Sequence, residues 1–374
     1  MSTNFGAPAR ALLLGLLLAA CGGSREPLVL GLAAPLGDSS FGDNSLRGAS
    51  LAVAEINRDG GIKGRTLRLE AVSDSGKDST AIAVAARLTG NADVLAVVGH
   101  ASSTPMLAAA PEYEAAGLPA IGTSATSTRI SRAGDYIFRI ASSDSANAAE
   151  LARTARTLGA RVAILYSNED YGQSLETVFR SSLAATGARL VASDPYLEEM
   201  PPSEFEPYLR RLATRGADVI LVAGYEVGAA SLIPRAKQLM PGVQIMGGDG
   251  LEPLVSMGDQ FEGTYVGMLF HPDVSKQARD FADTYRSTYQ REPDSSAATA
   301  YDAVYLLARA MRAGALSREA IRDYLAGVGR PGGSEPFQGV TGPLRFDENG
   351  DPVGKPFTVV VIRGGRFVLP NQRS

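Results

Sequence analysis

Val94-Leu-Ala-Val-Val-Gly-His-Ala-Ser-Ser-Thr-Pro105 is an apolar run of strand length that breaks at a glycine, passes through hydroxyl residues and enters a helical pattern. An unbroken apolar run predicts a strand covered on both faces, the usual state of a strand in a parallel sheet. The helix expected over about 103–116 stops at Gly117, a residue type that favours the left-handed turn at a helix end. Upstream, the same grammar predicts a strand over 28–33, a helix over about 46–59 closed by Gly60-Gly61, a strand over 66–72, and a helix capped by Asp78-Ser79. It restarts downstream after 136–140, with helices over 145–158, 170–186, 203–215 and 227–240. Strands over 162–167, 190–196, 219–224 and 243–248 alternate with them. Helices of this length between strands imply right-handed crossovers and parallel sheets. A chain of 374 residues exceeds what one hydrophobic core usually supports, so two such units are expected.

The last third turns helical, over 275–289, 295–313 and 317–328, before two late strands over 339–346 and 357–363. Late strands after a helical block suit a chain that passes back and forth between lobes. Crossings are expected near 140–144, 267–272 and 334–342. The reading is an α/β fold of two Rossmann-like lobes with parallel-sheet cores and a three-segment hinge. One lobe takes 28–141 and 271–336, the other 142–270 and 337–374.

Before the first strand, Ala11-Leu-Leu-Leu-Gly-Leu-Leu-Leu-Ala-Ala20 is too short to span a bilayer but suits the apolar region of an export signal. The single cysteine of the chain, Cys21, closes it. Leu18-Ala-Ala-Cys21-Gly22 resembles the bacterial lipobox, which implies a signal peptide over 1–20, lipidation at Cys21 and a tether over 21–27.

With 36 Lys and Arg against 40 Asp and Glu, scattered and without a basic run, nucleic acid is not expected as a partner. Catalytic signatures are missing as well. There is no nucleophile elbow, no phosphate-binding loop and no His-Glu-x-x-His. His100 and His271 are the only histidines, and His100 at a strand end suits packing better than catalysis. No enzyme activity, cofactor or metal site is expected.

Polar residues gather instead at the carboxyl ends of the expected strands, the edge where open α/β sheets bind ligands. The Ser102-Ser103 pair opens a helix, where unpaired N–H groups and a partial positive charge suit a carboxylate. A plain helix cap would use the same residues. Gly122-Thr-Ser-Ala-Thr-Ser-Thr128, Asn168-Glu-Asp-Tyr-Gly-Gln173 and Gly247-Gly-Asp-Gly250 follow three further strands. Taken alone, each could be only a turn.

In order and spacing, these segments resemble the type I periplasmic binding proteins of the branched-chain (Leu/Ile/Val) amino acid importers. The likeness covers the whole mature chain. It is carried by Gly31 to Pro35 with Phe41-Gly42 and Gly48-Ala49, by Glu55-Ile-Asn57 and Gly60-Gly-Ile-Lys-Gly64, and by Gly99 to Ser103, Ser124-Ala-Thr126 and Asp170-Tyr-Gly172. The resemblance implies that Ser103 and Thr126 donate hydroxyl hydrogen bonds to a ligand α-carboxylate, helped by N–H groups near Ser102 and Thr126. It places the Ser124 carbonyl and the Asp249 carboxylate on the α-ammonium, Tyr171 and Tyr225 opposite, and Phe41 on the side-chain wall. Asp249 stands where the family often has Glu, Ser296 where some branched-chain binders carry an aromatic ring, and the frequent disulfide is absent. These departures leave the side-chain preference open. The resemblance further implies a monomer exported to the periplasm or cell surface, membrane-anchored only through lipid, with permease and ATPase partners. A same-fold sensor for an amide or other small solute, feeding a signalling partner, is the alternative.

Overall fold

The computed structural model describes residues 1–3, 26–37 and 40–370, so Cys21 and the expected signal segment lie outside the described residues. The first lobe opens with β1 (Leu28–Ala34), α1 (Ser40–Arg58), β2 (Leu67–Ser73), α2 (Asp78–Gly90), β3 (Val94–Gly99), α3 (Ser103–Ala115), β4 (Ala120–Gly122) and β5 (Ile137–Arg139). Its five strands run parallel in the order β2-β1-β3-β4-β5. Along β1, Leu28, Leu30, Leu32 and Ala34 enter one core and Val29 and Ala33 the other. This two-sided burial is why the run has no polar alternation.

The second lobe follows with α4 (Asp144–Leu158), β6 (Arg161–Ser167), α5 (Asp170–Ala184), β7 (Arg189–Tyr196), α6 (Glu206–Thr214), β8 (Val219–Ala223), α7 (Glu226–Leu239), β9 (Gln244–Gly247) and β10 (Tyr265–Met268). Then come α8 (Lys276–Tyr289), α9 (Ser295–Arg312), α10 (Arg318–Ala326), β11 (Phe337–Gly339), β12 (Gly342–Leu344), β13 (Thr358–Arg363) and β14 (Arg366–Val368). The second sheet has the order β14-β13-β10-β9-β8-β6-β7, and its β10–β13 and β13–β14 pairs are antiparallel. On β8, Ile220 and Val222 face one core, while Val219, Leu221 and Ala223 face the other.

Two glycines hold close approaches that a side chain would prevent. Gly99 ends β3 at φ +122°, where a Cβ would stand 2.1 Å from the Ala33 carbonyl oxygen. Gly48 lets α1 lie against α9, since a Cβ there would stand 2.0 Å from the Ala297 carbonyl oxygen.

Several expected boundaries move. Residues 337–346 do not begin the second lobe: Phe337, Leu344 and Phe346 pack in the first lobe's core with Leu28 and Val304. The expected strand over 339–346 is a short hairpin, β11–β12. The last return to the second sheet therefore falls between Phe346 and β13, not near 334–342. The middle crossing follows β10 (Tyr265–Met268), whose residues pair in the second sheet, and so falls within the expected stretch 267–272. Periodicity marks a segment as buried but does not say against which sheet.

Candidate functional site

Five of the residues singled out above, Ser103, Ser124, Thr126, Tyr171 and Asp249, are buried where the lobes meet. On the first lobe, Ser103 is 1% exposed and its Oγ accepts the Ser127 N–H at 3.1 Å, leaving its own hydroxyl hydrogen available. Ser102 is the N-cap residue of α3, yet its side chain makes no capping bond, so the plain-cap reading fails for it. The Thr126 hydroxyl is buried and makes no hydrogen bond to the protein. Ser124 Oγ lies 3.3 Å from Thr299 Oγ1 on α9. Phe41 sits in the first turn of α1, half-buried, with its ring against the first lobe's core.

On the second lobe, Tyr171 and Tyr225 stack at 5.1 Å between ring centroids. The Tyr171 hydroxyl donates to Asp249 Oδ1 at 3.2 Å. Asp249 opens a 3-10 segment, Asp249–Ser256, directly after β9, and is only 7% exposed. Burial, and after it the neighbouring Asp144, push its carboxyl up to about 7.

Asp144 is the residue that the sequence did not disclose. It begins α4 at the first crossing, is 2% exposed, and its Oδ2 makes no hydrogen bond of standard length. Burial pushes it up to about 6, partly offset by the nearby hydroxyls of Ser174 and Thr126 and by the Arg139 cation. Asp144 also raises Tyr171, Tyr225 and Asp249, and is itself lowered by Thr126 and Arg139 of the first lobe, so it stands within electrostatic reach of both lobes' residues. An acid just after Ser142-Ser143 reads in sequence as an ordinary helix start. Only the neighbouring lobe makes it a site residue.

The lobes are in direct contact around this site. The Thr128 N–H donates to Ser174 Oγ at 2.9 Å, the Asp170 N–H to Thr104 Oγ1 at 3.4 Å, and Arg129 pairs with Asp170. Glu252 Oε2 accepts the Ser295 N–H at 2.9 Å.

His100, by contrast, is a core residue. Its Nδ1 lies 2.6 Å from Asp74 Oδ2 and its Nε2 3.0 Å from the Tyr113 hydroxyl, all inside the first lobe. Among the described residues, no cluster of three or more His, Cys, Asp or Glu could hold a metal ion.

The raised carboxyls set a pH dependence. An unfolded carboxylate titrates near about 4, whereas Asp144 and Asp249 hold protons up to about 6 and about 7 when folded. Where the folded state binds more protons, stability falls as pH rises. The ligand-free protein is therefore expected to melt lower at pH 8 than at pH 5, with a shallower fall in Asp249→Asn. Scanning calorimetry across that range checks it, and equal slopes for the two proteins would remove Asp249 as the source.

A family model described as periplasmic binding protein matches residues 29–366. An amino acid binding protein of Pseudomonas aeruginosa is 27% identical over 335 residues, covering 87% of each chain. A Desulfitobacterium hafniense ABC transporter substrate-binding protein, solved in complex with Leu, superposes with a TM-score of 0.78 at 30% identity, covering 92% of this chain and 99% of its own. The branched-chain amino acid transporter substrate-binding protein of Streptococcus pneumoniae, solved with isoleucine, gives 0.82 at 29% identity, covering 91% and 97%. The two solved relatives are transporter substrate-binding proteins, and the third is an amino acid binding protein.

Proposed function

The chain belongs to the periplasmic binding protein family, and from that premise we propose that it captures an α-amino acid between its lobes for an ATP-driven importer. The observation that carries this reading is a buried pair of unmet needs on opposite lobes. Asp249 is enclosed with no cation among its largest influences, and the Thr126 hydroxyl is enclosed with no hydrogen bond of standard length. Buried polar groups are rarely left so. A zwitterion meets both needs: its ammonium at Asp249 and the Ser124 carbonyl, its carboxylate at Ser103, Thr126 and the N–H groups that open α3.

The relatives solved with leucine and isoleucine support an amino acid over an uncharged amide. Contacts to both lobes would favour the closed state by differential affinity. Denaturing the purified protein and identifying the released small molecule by mass spectrometry tests the reading. An α-amino acid is expected, and a solute lacking either the amine or the carboxylate would overturn it.

In this reading the protein works as a monomer, with permease and ATPase subunits as partners and Cys21 as its lipid anchor. Cys21→Ser should abolish lipid labelling and leave an unprocessed precursor. A mature chain that begins beyond Cys21 and carries no lipid would refute the anchor.

A further inference from the structure

Glu252 presents a need that an amino-acid backbone does not meet. It lies on the 3-10 segment after β9 and is 4% exposed. Its Oε2 accepts the Ser295 N–H of the other lobe, but its equally buried Oε1 has no partner. The missing partner is a donor from outside the chain.

Its position relative to the proposed ammonium site follows from α9. Thr299, which touches Ser124, stands one helical turn beyond Ser295, and its hydroxyl donates to the Ser295 carbonyl at 2.8 Å. One turn advances about 5.4 Å, a span that a short methylene chain covers. The α9 turn itself offers Ser295, Ser296 and Thr299, all buried hydroxyl residues and none of them an apolar wall.

The charges around Glu252 have one sign. Burial raises its carboxyl most, then Asp294 of the first lobe. The Ser295 hydroxyl and N–H offset this in part, Asp249 of the second lobe adds to it, and no cation stands among these influences. Glu226 is raised by Asp294 across the seam, and Glu198 by Glu169 and Glu226. Like charges gathered in a low-dielectric seam favour a ligand with net positive charge, and they also attract it from solution.

We propose that the ligand is a basic α-amino acid, whose side-chain ammonium or guanidinium donates to Glu252 Oε1. The inference rests on the amino-acid reading above and departs from the aliphatic ligands of the solved relatives. Calorimetric titration of the protein with lysine, arginine and leucine tests it. Lysine or arginine should bind tighter than leucine by about tenfold or more, and Glu252→Gln should cut that ratio by about tenfold or more. A smaller ratio in the parent protein overturns the inference with no appeal to any variant. So does a Glu252→Gln effect equal for all three ligands. If none of the three binds to a normally melting protein, the inference is overturned, and the solute released on denaturation then decides separately whether the amino-acid reading stands.

Discussion

Asp249→Ala is expected to weaken amino-acid binding by about 30- to 4,000-fold. Removing one partner of a buried, hydrogen-bonded charge pair costs about 2–5 kcal/mol, and each 1.4 kcal/mol is about a factor of ten. Much of that cost is the ligand ammonium left unpaired in a closed site. Tyr171 loses the acceptor of its hydroxyl at the same time, since that bond goes to Asp249 Oδ1. Asp249→Asn keeps the shape and an acceptor oxygen but not the charge, so it should also weaken binding, by less. The opposite expectation comes from reading Gly247-Gly-Asp-Gly250 as a turn, in which the side chain serves only its own backbone. Calorimetry on both variants, with melting checked for folding, separates the two. Binding within a factor of about three of the parent, or about 0.7 kcal/mol, would show that the ammonium is held elsewhere.

Arg139→Met is expected to cost about 3–5 kcal/mol of stability, the usual result of breaking a buried ion pair from one side. Arg139 ends β5 and is fully buried. Its Nε donates to Asp351 Oδ1 at 2.7 Å, its Nη1 to the Ser127 carbonyl at 2.8 Å and its Nη2 to Ser131 Oγ at 2.7 Å. It thus ties the first crossing between lobes to the stretch that leads into the last one. Methionine fills the volume but supplies no donor, so the Ser127 carbonyl is stranded. The Asp351 side chain keeps 13% exposure and can recover some hydration, which favours the lower half of the range. Asp351→Asn should cost less, because the guanidinium retains its two other acceptors. Urea unfolding of the three proteins measures this, and a parent-like midpoint for Arg139→Met would contradict it.

The two residues also differ in how far the chain itself discloses them. Asp249 follows a strand and stands between glycines, so sequence position alone marks it as a strand-end carboxylate. Arg139 is a lone basic residue in a short apolar segment, and nothing nearby in sequence marks its partner, which lies 212 positions away. The strands β5, β10 and β14 are three or four residues long, below the length at which periodicity can identify a strand.

Residue order by itself determined the alternation of strand and helix, and with it the parallel sheets and the edge carrying Ser103, Ser124, Thr126 and Asp249. That information is local: an unbroken apolar run can be buried only on both faces, and a helix must start where its N–H groups are free. Tertiary structure decided which sheet each late segment joins, sending Phe337, Leu344 and Phe346 to the first core and Val360 and Ile362 to the second. It also decided the electrostatics. Asp144, Asp249 and Glu252 are ordinary acids in the chain and become hard to ionise where the fold buries them. The reason is desolvation: the cost of a charge depends on everything packed around it in space, and no stretch of sequence contains its own surroundings.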